Sequence, residues 1–182
     1  ETEFTAALVN LRNAQCDIVF LGTVLRDTIL IMEGRRKMDW NDALWVGNNA
    51  AAGSPVASMQ SGASEGYYGM SHLLPIYPDD PNVTPEGLAW YNKYVEIYGA
   101  IPDVPAMEGY RGADIAVQAL EIAGRELTRE NFLAALESLN EYKDIFGNTL
   151  SFSPTDHTGV DQSLIIQVKD KRWIKLDHLI EL

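Results

Sequence analysis

From the start of the chain to Met70, apolar residues fall at helical spacing, then in short unbroken runs, then at helical spacing again. Phe4, Leu8 and Leu11 mark one face of a helix. Ile18-Val-Phe-Leu21 is aliphatic or aromatic without polar alternation, which predicts a parallel strand covered on both faces. Leu25 to Met38 carries Ile29, Met32, Gly34 and Arg36 at helical spacing, and Ala43-Leu-Trp-Val-Gly47 follows as a second buried strand. After a short helical stretch near Val56 to Met59, Glu65-Gly-Tyr-Tyr-Gly-Met70 reads as a third strand. This alternation predicts right-handed βαβ units and a parallel α/β sheet.

The middle of the chain changes character. His72 to Glu86 is rich in proline and acid and reads as an extended crossover. Thr84 followed by Pro85 is a helix start, because threonine can cap free amides and proline fits the first helical position. The helix behind it should turn Leu88, Tyr91, Tyr94 and Ile97 inward and stop near Gly99. A proline-bearing loop, Ile101 to Pro105, precedes a long helix from Met107 to Ala123, and Thr128 caps a shorter one through Phe132, Leu133 and Leu136. Thr149 to Ser153 alternates, and Ser163 to Val168 joins Arg172 to Leu176 through Lys169-Asp170-Lys171 as a β-hairpin. A crossover, a helical region and a late return to β structure predict two lobes sharing one chain, joined by a hinge.

Composition narrows the function. The 182 residues are 46% hydrophobic, enough for one good core or two small ones, and no apolar run reaches membrane-spanning length. A net charge of −12 argues against nucleic acid or anionic membranes as partners. Cys16 is alone, so no internal disulfide can form, and it reads as a small buried residue next to a strand. His72, His157 and His178 are too scattered for a zinc site, so neither a metal nor a cofactor is expected. Gly22-Thr23 lacks the further glycines of a dinucleotide fingerprint, and there is no phosphate loop or nucleophile elbow. The chain is therefore not read as an enzyme.

The candidate chemistry sits at strand ends. Parallel α/β sheets bind ligands at the carboxyl ends of their strands, where loops meet helix N-termini. That rule selects Gly22, Thr23, Val24 and Arg26 after the first strand, and the second strand likewise ends in Gly47 and a polar pair, Asn48-Asn49. The plain alternative is an ordinary strand-to-helix turn, with Arg26 paired to Asp27 or solvated.

Taken together, the order of residues resembles a known family. The relevant stretches are Phe4 to Leu11 ahead of Cys16-Asp17-Ile-Val, then Gly22-Thr-Val-Leu-Arg-Asp27, and Asp39-Trp-Asn41 before the second strand. Glu65-Gly-Tyr67, Gly109-Tyr-Arg-Gly-Ala113 and Phe152-Ser-Pro-Thr-Asp-His-Thr-Gly159 continue the match. The chain looks like the C-terminal half of a type I periplasmic solute-binding protein of the branched-chain amino acid (Leu/Ile/Val) ABC-transporter group. The resemblance implies a fragment of a two-lobed protein. Residues 1–72 would belong to the ligand-binding C-terminal lobe, 73–162 to the helical part of the N-terminal lobe with hinge crossovers, and 163–182 to the returning hairpin.

The resemblance also implies function. A small solute, an amino acid or an aromatic or aliphatic carboxylate, would be captured between the lobes and delivered to the transmembrane subunits of an ABC permease. The alternative is a ligand-sensing domain of a receptor or regulator with the same fold. The location would be periplasmic, or extracellular on a membrane-anchored lipoprotein, with the secretion signal in the other half.

Ligand contacts carried over by the resemblance fall on Thr23, Val24, Arg26, Asn48 and Asn49, and on Tyr110 at the start of the long helix, where core or hinge packing is the competing role. Pro105 and Ala106 are weaker candidates. Amino-acid binders of the group often offer a tyrosine and an acidic residue where this chain has Val24 and Asn49. Without that carboxylate an ammonium group loses its offset for desolvation, whereas Arg26 suits a ligand carboxylate. An acid lacking an α-amino group is therefore expected. Ile115, Ala116, Ala119, Leu120 and Ile122 would show an apolar face with no sheet beneath it. A truncated chain of this kind is expected to dimerise, exchange segments or leave those helices poorly ordered.

Overall fold

The structure is a computed structural model that describes residues 3–181, with side chains described through Asp177. The chain divides into two compact units, one formed by Glu1–Pro75 with Gln162–Leu182, the other by Ile76–Asp161.

The first unit begins with helix α1 (Thr5–Asn13), strand β1 (Ile18–Leu21), helix α2 (Leu25–Lys37), strand β2 (Leu44–Gly47), the short helix α3 (Ser54–Ala57) and strand β3 (Tyr68–Ser71). It is completed by β7 (Gln162–Lys169) and β8 (Arg172–Glu181). Its sheet runs in the order β1-β2-β3-β7-β8. β1, β2 and β3 are parallel, with Leu21 opposite Gly47, while β7 lies antiparallel to β3 and β8 antiparallel to β7. The hairpin closes through Asp170 and Lys171, both with positive φ.

The core lies on one face of this sheet. Val19, Leu21, Trp45, Ile166, Val168 and Trp173 pack with Leu8, Ile31, Met32 and Val56 from the helices. Trp40 meets Trp45 edge-on at 5.0 Å, and Trp173 Nε1 donates to the Gly53 carbonyl at 3.0 Å. The opposite face is not covered. Ile18 is 62% exposed and Phe20 57%, and Leu44 on the neighbouring strand is exposed as well, so the expectation of strands buried on both faces is corrected. An apolar run looks the same whether its second face is packed or bare, because side chains alternate across the sheet regardless of their polarity. The third strand also starts later than expected, since Glu65 and Gly66 form the turn before it. Cys16 is half-buried.

The second unit holds α4 (Pro85–Tyr98), α5 (Val104–Ala123), α6 (Arg129–Glu137) and an antiparallel sheet of β4 (Tyr142–Lys143), β5 (Thr149–Ser153) and β6 (Asp156–Gly159). Side-chain caps start each helix: Thr84 accepts from Gly87 N at 3.0 Å, Asp103 from Val104 N at 2.8 Å and Thr128 from Asn131 N at 3.1 Å. Because Asp103 is the cap, Pro105 lies in the first turn of α5 and not in the preceding loop, where its missing N–H costs nothing. Ile97 points outward, contrary to expectation, while Leu88, Tyr91 and Tyr94 are half-buried. α5 packs on α6 and Ala119 is fully buried, which takes it out of the expected bare face. Leu120 and Ile122 remain exposed, joined by Val117.

Candidate functional site

In the first unit, β1 and β2 end side by side, and Asn48 N donates to the Leu21 carbonyl at 3.2 Å, tying the two following loops together. Thr23, Val24, Arg26, Asn48 and Asn49 thus share one rim. Their side chains divide by role. Thr28 Oγ1 donates to the Val24 carbonyl at 3.1 Å, so Thr23 Oγ1 is the donor in its 2.7 Å contact with Thr28 Oγ1. Asn48 Oδ1 accepts from Ala51 N at 3.0 Å and caps the single 3-10 turn Asn49–Ala51. Thr23 and Asn48 therefore build the loops, and Val24, Arg26 and Asn49 stand exposed on them.

The N-terminus of α2 opens onto the same rim. Its cap residue, Val24, makes no side-chain hydrogen bond. The helix dipole there favours an anion, with Arg26 and Asp27 side by side in the first turn. A carboxylate is the simplest group that this arrangement can hold.

Beneath the rim lies a residue that the sequence placed only within the third strand. Tyr67 is fully buried, and its hydroxyl has no hydrogen-bond partner. Burial pushes its phenol above the ordinary range. A Cβ on Gly47 would stand 1.8 Å from that hydroxyl, so only glycine fits at the end of β2. Tyr68 is half-buried, which gives the tyrosine pair one inward and one partly open ring. Trp45 is buried in the core and does not reach the loop surface.

Tyr110 belongs to the other unit, on α5. Its ring sits 5.5 Å from Trp90 and 6.0 Å from Phe146, and Trp90 continues the cluster to Tyr94 at 5.5 Å. A cavity of about 320 Å³ opens beside it between Trp90, Lys93, Tyr94, Tyr98 and Ala106. The residue after Tyr110 faces elsewhere: Arg111 is buried, with Nε 2.8 Å from Asp144 Oδ2. Pro105 is exposed and Ala106 half-buried. Tyr142 hydrogen-bonds Asp114, and burial together with that contact raises its phenol above the ordinary range.

Among the described residues no group of three or more histidine, cysteine or acidic side chains could hold a metal, and no helix is long and apolar enough to cross a membrane. The side chain of His178 lies outside the described residues.

A parallel strand pair leading into a helix N-terminus makes these strand ends the candidate ligand site of an α/β fold. The family model described as "Periplasmic binding protein" matches residues 1–172, and the chain belongs to that family. No curated protein matches it.

Among solved structures, it is similar over 100% of its length to a branched-chain amino acid ABC transporter protein from Thermus thermophilus with bound valine, at TM-score 0.84 and 19% identity. It is equally similar to a fatty acid ABC transporter substrate-binding protein from Thermomonospora curvata, at TM-score 0.84 and 22% identity over 100% of this chain. A solute-binding protein from R. palustris in complex with benzoate aligns with 97% of the chain at TM-score 0.77 and 17% identity. The chain spans about half the length of these structures: 50%, 48% and 46% respectively. These likenesses establish the type I periplasmic-binding fold.

Proposed function

We propose that this chain is one part of the two-lobed solute-binding component of an ABC importer, which captures a small carboxylate lacking an α-amino group and presents it to a membrane permease. The observation that carries the reading is the α2 N-terminus, with Arg26 exposed in its first turn, on the same strand-end rim as the loop that bears exposed Asn49. The two strand-end loops themselves carry no acidic side chain, and Asp27 stands beside Arg26 in the first turn of α2. An organic carboxylate gains charge-assisted hydrogen bonds there, whereas an ammonium group would lose its water without an opposing charge. Val24 adds an apolar wall for a ring or an alkyl chain. The benzoate and fatty acid proteins among the structural relatives support this choice of ligand class.

Ligand binding would close the lobes because contacts from both exist only in the closed state. In this reading Tyr110 also touches ligand, and the location is periplasmic or on an extracellular lipoprotein.

Titration calorimetry of the two-lobed protein containing this chain tests the proposal, with benzoate, octanoate and leucine as probes. The acids should bind more tightly than leucine, and Arg26→Gln should weaken benzoate by roughly tenfold, the worth of a charge-assisted bond. Asn49→Glu should move the preference towards leucine. Leucine binding more tightly than both acids in the parent protein would overturn the reading.

A further inference from the structure

The turn after β4 is built around one carboxylate. Asp144 Oδ1 accepts from Phe146 N at 3.0 Å and from Asn148 N at 2.7 Å, and Asp144 Oδ2 accepts from Asn148 Nδ2 at 3.1 Å. Asp144 N in turn donates to the Asn148 carbonyl at 2.9 Å. Arg111, buried like Asp144, reaches it from α5 at 2.8 Å. The far side of the turn is held by α4: Thr84 Oγ1, the cap of that helix, also bonds the Ile145 carbonyl. A Cβ on Gly87 would stand 2.9 Å from that carbonyl, so the helix start and the turn touch through backbone.

What the turn carries outward is Phe146. Its ring meets Trp90 edge-on at 5.2 Å and Tyr110 edge-on at 6.0 Å. The chain of contacts therefore closes on itself. Arg111 fixes Asp144, Asp144 fixes the turn, the turn places Phe146, and Phe146 braces Tyr110, the residue immediately before Arg111.

We infer that Arg111, Asp144 and Phe146 are positioning residues that set the orientation of the Tyr110 ring for ligand contact. The inference rests on the reading of Tyr110 as a ligand residue. A buried ion pair is weak evidence for stability, since apolar residues of similar volume often replace such pairs without loss. Its value here is geometric: the carboxylate organises three backbone and side-chain donors that no apolar residue could organise.

The test uses the two-lobed protein, benzoate as probe, and acrylamide quenching of tryptophan fluorescence. Trp40, Trp45 and Trp173 are 2%, 1% and 1% exposed, so quenching within this chain reports Trp90, half-buried beside Tyr110. Any tryptophan in the other half would first be changed to phenylalanine. Asp144→Asn leaves Arg111 buried without its counter-charge and could fail to fold, so the paired replacement Arg111→Met with Asp144→Leu is the working variant, alongside Phe146→Leu.

Both should raise Trp90 quenching and weaken benzoate by roughly threefold to tenfold, the size of coupling between neighbouring residues. Phe146→Leu in the paired background should add little further. Parental quenching and parental affinity in the folded paired variant would overturn the inference. Tyr110→Leu separates the two levels. If it leaves affinity unchanged, Tyr110 is no ligand residue and the reading of the site fails, while the quenching result still decides whether the latch orients the ring.

Discussion

Tyr67 carries a hydroxyl that the fold buries without a partner, directly against the backbone of Gly47 at the end of β2. Removing such a group should cost nothing in hydrogen bonding. Tyr67→Phe is expected to leave stability unchanged or raise it by up to ~1 kcal/mol, measured by chemical denaturation. Gly47→Ala should destabilise by about 1–3 kcal/mol, because the added methyl meets the hydroxyl and the Ala51 side chain. In the double variant part of that loss should return, and strict additivity would show that the clash lies elsewhere.

The same phenol sets a pH dependence. Burial raises it in the fold, while the unfolded chain releases the proton at the ordinary 10.0. Stability from this source is whole below pH 10 and falls as pH rises beyond it towards the folded value. Thermal melts between pH 9 and 11 should therefore lose ground less steeply in Tyr67→Phe. Tyr142 contributes in the same direction, so some loss of stability with rising pH should remain.

At the scale of elements, what the sequence revealed followed the local chemistry. Thr84 and Thr128 were legible as helix starts because capping is written within four residues, and β5 matched its alternating pattern from Thr149 to Ser153. β4, two residues long, and β6, with exposed Asp156, His157 and Thr158, had no apolar signature to read. Asp103 hid the start of α5, since a proline two residues on resembles a loop until the cap is seen.

The site divided in a similar way. That the loops after β1 and β2 lie side by side was legible from chain order, because a parallel sheet brings its strand ends to one rim. Tyr67 and the Asp144 turn could not, since their roles come from packing between segments distant in the chain. The α2 start offers a further test at this scale. Val24→Ser should supply the missing cap and stabilise the helix by about 1 kcal/mol, read from denaturation midpoints. If the α2 N-terminus serves a carboxylate, the same change should weaken benzoate.

For the whole molecule, the bare face bearing Ile18, Phe20 and Leu44 predicts self-association of this chain by itself. Sedimentation velocity should show dimers or larger species, and Ile18→Thr with Phe20→Thr should shift the distribution towards monomer. A monomer at every concentration would contradict this.

The path of the chain has a separate effect. Trp173 closes the core of the first unit against Gly53, 120 residues earlier, and β7 inserts beside β3 only after the second unit has been traversed. On the ribosome, the first three strands must therefore wait with an open edge while the intervening helices emerge and fold. An early stop before Gln162 would release a nascent chain whose first unit lacks two of its strands, a natural substrate for holding chaperones.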